Sequence, residues 1–275
     1  MLTKLLLHSN AFFGKKAAIS SSTLLFSTST MTKGGAILKA GEAMGLKQML
    51  DDDSSTYTYL LWDRETKDAV LVDPVDVQAD RDLAAINELG LNLVYGINTH
   101  AHADHITGTG ILKKQVEGMK SVISEASGAD ADVKISSGDR ILFGSRFIEA
   151  RATPGHTEGC FSYVADDQSF VLTGDTLLIQ GCGRTDFQGG SAETLYESVY
   201  NQLFTLPDSC IVYPAHDYKS RTQSKIGDEK STNPRLGATK TKDEFVEIMA
   251  NLNLSYPKKI DVAVPANMRC GVPDV

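Results

Sequence analysis

The sequence predicts an α/β protein folded as one domain after its first thirty residues. Short apolar runs of strand length alternate with segments of helical spacing from residue 57 onward. No Pro-rich linker and no repeat of roughly 20–50 residues interrupts them. With 41% hydrophobic and 23% charged side chains, 275 residues can bury a core without disulfide staples.

Taken in order, "YTYLLW" (57–62) and "AVLVDP" (69–74) read as paired strands around the polar turn "DRETKD". "ADRDLAAINELG" (79–90) has helical spacing and closes on a glycine. "LNLVYGIN" (91–98) is a buried strand, and the helix-like "ITGTGILKKQV" follows at 106–116. Further strands are expected at "RILFG", "RFIEARAT", "CFSYVA", "SFVLTG" and "CIVYPA". Helices are expected at "AETLYESVYNQLFTL" (192–206) and "TKDEFVEIMANLN" (241–253), the second with the capping box Thr241 and Glu244. A helix at 193–206 offers one face for a homodimer. "KSRTQSKIGDEKS" (219–231) reads as a solvated loop or helix face.

Composition excludes several classes. A net charge of −8 argues against nucleic acid as a partner. No apolar run of about 18 residues is present to cross a membrane. Cys160, Cys182, Cys210 and Cys270 form neither a disulfide framework nor a C-x-x-C pair, which suits a reducing compartment. Residues 1–30 hold Lys4, Lys15 and Lys16, many hydroxyl side chains and no acid before Glu42. That leader reads as an organellar transit peptide, for a mitochondrion ahead of a plastid, with residues 31–275 as the mature domain. A disordered tail is the alternative.

The chemistry is concentrated in "NTHAHADHITG" (98–108), which places His100, His102, Asp104 and His105 together between a strand and a helix. On an extended segment side chains alternate faces, so His100 and His102 are expected to point the same way. His156 in "ATPGHTEG", Asp175 in "FVLTGDT" and His216 in "YPAHDY" also lie at strand ends, and only His8 falls in the leader. Five histidines and two aspartates so placed indicate a metal site, since lone histidines are usually packed or at the surface. Cys182, between two glycines, has no general base near it in sequence and reads as a turn residue rather than a nucleophile.

The series H-x-H-x-D-H, G-H-T, G-D and a final H resembles the metallo-β-lactamase superfamily along nearly the whole mature chain. The resemblance implies an αβ/βα four-layer sandwich with metals at one edge. Two chemistries compete within it. In the hydroxyacylglutathione hydrolase branch two metals bind, one to His100, His102 and His156, the other to Asp104, His105 and His216, with Asp175 bridging. All of those residues are present. The stretches "LLIQGCGRTDFQGG" (177–190), "NPRL" (233–236) and "DVAVPANMRCG" (261–271) resemble the persulfide dioxygenase branch instead. Only 59 residues follow His216, fewer than the hydrolase branch's helical substrate domain normally takes.

The dioxygenase resemblance implies one Fe(II) per chain on His100, His156 and Asp175, with His102, Asp104, His105 and His216 around it as hydrogen-bonding groups. Two imidazoles and one carboxylate on one face of an octahedron leave three positions for substrate and oxygen. The reaction implied is glutathione persulfide, O₂ and water giving sulfite and glutathione. Glutathione carries two carboxylates, so Arg184 and Arg235 are candidate binders. For Arg184 the competing reading is an ion pair with Asp186. Tyr218, two residues past His216, is a candidate donor to oxygen or sulfur, and otherwise a core aromatic. A catalytically silent metal-binding protein would be expected to show a broken ligand set, and this set is intact.

Overall fold

Every residue of the strand Thr56–Asp63 is buried, and this sets the layering. Side chains alternate across a strand. Tyr57, Tyr59 and Leu61 enter one apolar cluster, while Leu60 and Trp62 enter another. A strand buried on both faces needs a sheet or helices on each side. The computed structural model, which describes residues 31–32, 35–38, 44–237 and 239–272, supplies both. The expected transit peptide, residues 1–30, lies outside the described residues.

The first sheet runs in chain order through β1 (Met31–Thr32), β2 (Gly35–Leu38), β3 (Met44–Asp51), β4 (Thr56–Asp63), β5 (Asp68–Val72), β6 (Asn92–Ile97), β7 (Lys120–Ser124) and β8 (Val133–Ile135). It is antiparallel as far as β5 and parallel from β5 onward. The second comprises β9 (Arg140–Phe143), β10 (Arg146–Ala152), β11 (Phe161–Ala165), β12 (Phe170–Gly174), β13 (Ile211–Pro214) and β14 (Ser224–Lys225). Only its β12–β13 pair is parallel. Phe161, Tyr163, Phe170, Leu172 and Tyr213 of this sheet meet the first sheet's inner face.

Helices close both outer faces. α1 (Ala79–Glu88) and α2 (Thr109–Gln115) pack Ala85, Ile86 and Leu112 against Leu60 and Leu71. α3 (Ala192–Ser198), α4 (Ile226–Thr232) and α5 (Lys242–Ala250) pack Leu195, Ile226 and Phe245 against Val164, Val171 and Val212. The expected αβ/βα sandwich is present, and the capping box of α5 forms as its sequence requires. α6 (Ile260–Asn267) is the last helix among the described residues.

Several expectations change in detail. Regular helix from Ala192 stops at Ser198 and continues as one wider turn, with Phe204 N–H donating to Val199 O at 2.8 Å. Its apolar face, Leu195, Val199 and Leu203, is fully buried in the chain's own core. The charge run 219–231 is not simply solvated. It forms β14 and most of α4, and Glu229 is buried because it accepts Gln180 N–H, Ser224 Oγ–H and Asn233 Nδ2–H.

Candidate metal centre

The parallel strands β5, β6, β12 and β13 all end at the same edge, where α/β sheets gather ligands. There Tyr57 N–H donates to Ala215 O at 2.7 Å and Thr56 bridges His216, which joins the two sheets at that edge. β6 stops at Ile97, and residues 98–108 continue as a loop whose course is set by side chains from elsewhere. Asp73, at φ 51° just past β5, is buried and accepts Thr99 N–H at 2.7 Å and Thr99 Oγ–H at 2.9 Å. Gln188 Nε2 donates to Ala101 O at 2.8 Å, and Tyr163 Oη to Asn98 O at 3.0 Å. Gly174 lets β12 approach closely, since a Cβ there would meet Thr99 at 2.9 Å with φ +52°.

Each of the five histidines turns one ring nitrogen outward to a protein acceptor. Thr99 spends its hydroxyl proton on Asp73, so it accepts from His100 Nδ1 at 3.0 Å. His156 Nδ1 donates to Arg184 O at 2.7 Å and His216 Nδ1 to Ser55 O at 3.1 Å. His102 Nε2 donates to Asp73 at 3.0 Å and His105 Nδ1 to Asp104 at 2.9 Å. The second nitrogen of each ring is then left facing the other side chains of the cluster. Such outward hydrogen bonds are the usual companions of metal-binding imidazoles.

The inward atoms form two groups whose members lie within 4.8 Å of one another: His100, His156 and Asp175, and His102, Asp104 and His105. His100 Nε2, His102 Nδ1, His105 Nε2 and Asp175 Oδ1 are buried with no hydrogen-bond partner. Leaving one such group unpaired costs about 1–3 kcal/mol, so four in one place call for a common partner such as a cation. Burial and the neighbouring His102 and His156 hold the His100 ring well below its usual range, hence neutral. His105 is lowered by burial and His102. Burial would raise Asp104, but His216 and His105 overcome it and hold it well below the carboxylate range. For His100, His105 and Asp104 these are the protonation states a cation needs, whereas Asp73 and Asp104 outweigh burial and hold His102 above its usual range.

The expectation that His100 and His102 point the same way needs correcting. Their rings lie 4.1 Å apart, yet their bare nitrogens belong to different groups. The segment is a loop rather than an extended strand, and Asp73 takes the Nε2 of His102, leaving Nδ1 to face Asp104. His216 Nε2 stands between the groups, 3.5 Å from Asp175 Oδ1 and 3.6 Å from Asp104 Oδ2. Among the described residues these are the groups of histidine, cysteine and carboxylate side chains arranged to hold a metal.

The remaining candidates divide. Arg184 is fully engaged: Nε and Nη2 hold both oxygens of Asp186, Nη1 holds Ser255 O, and the guanidinium lies over Phe187. It also lines a cleft of about 380 Å³ with Met249 and Leu254, and none of the clustered histidines borders that cleft. Arg235 is half-buried and reaches Cys182 O through Nη1. Cys182 is buried, which pushes its thiol up to about 11 and makes it a poor nucleophile. Tyr218 stacks parallel to His216 at 6.1 Å but is 74% exposed, so it is not the core aromatic that its alternative reading supposed. Asp73 and Gln188 went unnoticed in the sequence. The signal for Asp73 was an acid ending an apolar strand beside a proline, in "LVDP".

Residues 51–216 match the family described as the metallo-β-lactamase superfamily. The mitochondrial persulfide dioxygenase ETHE1 of Mus musculus is 57% identical over 233 residues, covering 85% of this chain and 91% of the relative. The crystal structure of ETHE1 from Myxococcus xanthus is 50% identical, with a TM-score of 0.79, and covers 82% of this chain and 99% of that one. A hydroxyacylglutathione hydrolase of Thermosynechococcus vestitus is more distant, 34% identical over 186 residues, covering 66% of this chain and 72% of the relative. The chain belongs to the metallo-β-lactamase superfamily and, within it, to the persulfide dioxygenase family.

Proposed function

We propose that the chain is a persulfide dioxygenase of the mitochondrial matrix that uses one Fe(II) to oxidise glutathione persulfide. The reaction is GSSH + O₂ + H₂O → GSH + SO₃²⁻ + 2 H⁺. The observation that carries it is the grouping of His100, His156 and Asp175, two imidazoles and one carboxylate with donor atoms within 4.8 Å of one another. That donor set suits a non-haem iron with open positions. Bound there, iron would supply the Lewis acidity and the electron transfer to oxygen that the reaction requires.

The chain's own residues do the rest. Thr99 and the Arg184 carbonyl hold the rings of His100 and His156 in one orientation. Asp175 contributes the negative charge that two imidazoles lack. His102, Asp104, His105 and His216 flank that group as a polar wall able to donate to or accept from substrate. Tyr218 offers its exposed hydroxyl at the rim.

The substrate carboxylates fall to Arg235 and Arg184. Because Asp186 already holds Arg184 by two bonds, the larger share goes to Arg235. Arg235→Ala is expected to raise the KM for glutathione persulfide about 10-fold to 100-fold, as for loss of a charged hydrogen bond, with iron content unchanged. Arg184→Ala should lower iron content and melting temperature as well, because the same loop orients His156. Metal analysis and steady-state kinetics on both variants separate the roles, and a pure KM effect in Arg184→Ala would return it to the substrate.

The matrix location rests on the acid-free leader and on the mitochondrial relatives. N-terminal sequencing of protein isolated from the organelle should begin near Met31, and a mature protein starting at Met1 would rule out cleavage.

The reaction is tested by oxygen uptake. With glutathione persulfide the enzyme should consume O₂, release sulfite in equal amount and stop under nitrogen. Cleavage of S-lactoylglutathione that proceeds equally well without air would support the two-metal hydrolase instead.

A further inference from the structure

No residue of the C-terminal "ANMRCG" run belongs to either metal group, yet one of its side chains is tied to the histidine loop by three hydrogen bonds. Asn267, the last residue of α6, is buried at 4% exposure. Its Nδ2 donates to His102 O and to His105 O, both at 2.8 Å, and its Oδ1 accepts Thr107 N–H at 2.8 Å. A single amide therefore uses both of its protons and its oxygen on three backbone groups of the loop, about 160 residues away in sequence. No regular structure supplies those partners to residues 102–107, because the loop has left the sheet.

The helix end is built to bring the amide there. Cys270 at φ 59° and Gly271 at φ +78° turn the chain back, and Gly271 N–H closes on Ala266 O at 2.8 Å. A Cβ on Gly271 would meet Thr107 O at 2.1 Å, and one on Gly110 would meet Cys270 O at 2.4 Å. Both glycines mark a close backbone approach between this turn and the loop leading into α2.

We propose that Asn267 is a positioning residue for the metal centre. Its amide fixes the carbonyls of His102 and His105 and so holds the loop that carries His100, His102, Asp104 and His105 in a binding-ready shape before any metal arrives. The inference rests on the metal reading for its consequence but not for its mechanism, since the clamp consists of protein atoms alone.

The test compares Asn267→Ala with Ile260→Ala, which loosens the same helix at a buried residue that makes none of these loop bonds. Hydrogen exchange of the peptide covering residues 99–108 is followed in metal-free protein, and iron release to a chelator is followed in the holoenzyme. Asn267→Ala is expected to speed exchange in that peptide and to release iron about 10-fold to 100-fold faster, the range for losing a partner behind a ligand. Ile260→Ala should lower the melting temperature and change neither readout. If Asn267→Ala does not fold, Asn267→Ser, which leaves a smaller gap, takes its place in the same comparison. Unchanged exchange in the metal-free variant would overturn the clamp. Faster exchange with no change in iron release would overturn its role at the metal while leaving the oxygen-uptake test of the reaction untouched.

Discussion

Asp175→Ala protein is expected to purify with iron near zero, against about one per chain for the parent, and to show no measurable oxygen uptake with glutathione persulfide. Asp175 is the carboxylate of the group formed with His100 and His156, and its Oδ1 is buried without a partner. Removing it leaves two imidazole rings, which attract a dication weakly and cannot define the third position of the face. The activity loss should therefore exceed the roughly 10-fold to 100-fold typical of residues that only support a ligand. The fold should survive. Asp175 lies after β12 rather than in the core, and Gly183 N–H bonds its backbone oxygen, which alanine retains. Circular dichroism and melting of the two proteins, both stripped of metal, check that point. Asp175→Asn keeps the shape and removes the charge, so it should fail nearly as badly. Iron near one per chain in either variant would move the centre away from Asp175.

How far these residues could be read in advance depended on where the information lay. Strands such as β4, β5 and β12 were legible because their apolar runs are dense and end in turn residues. β3 was not, because Lys47 and Gln48 interrupt its apolar pattern. Both are buried all the same, Gln48 by donating to Tyr59 Oη and Thr222 O, Lys47 with its amine 4.0 Å from Glu88. α6 was unreadable as a helix, since "IDVAVPAN" has strand-like residues and contains Pro265. The donor atoms were legible as a set, because histidines and aspartates at strand ends are rare without a task. Their division into two groups came with the family resemblance and not from the spacing. It depends on Asp73, whose bond to His102 spans 29 residues, and no spacing within "THAHADH" encodes that. The supports of the loop, Gln188 and Asn267, come from two of the three stretches that carried the family resemblance, and their hydrogen bonds give those two stretches a physical task.

His216→Ala should keep iron close to one per chain while losing about 10-fold to 100-fold in oxygen uptake, the effect of a supporting group rather than a ligand. Its Nε2 lies 3.5 Å from Asp175 and 3.6 Å from Asp104, so it bridges the two groups without belonging to either. Burial alone would lower the ring, but Asp175 and Asp104 together outweigh burial and hold it up at about 9. In metal-free protein it is then protonated at neutral pH, and a metal would have to displace that proton to gain it as a ligand. The same proton gives a second readout. Because the folded-state value is raised above the ordinary 6.5, its stabilisation is complete below about pH 6.5 and is lost as pH rises through about 9. Metal-free parent protein should therefore lose melting temperature relative to metal-free His216→Ala across that window, and the difference should flatten on either side. A two-metal hydrolase predicts another pattern: two metals per chain in the parent, one of them gone in His216→Ala, and thioester cleavage indifferent to oxygen. That pattern would reassign His216 as a ligand and the chain as a hydrolase.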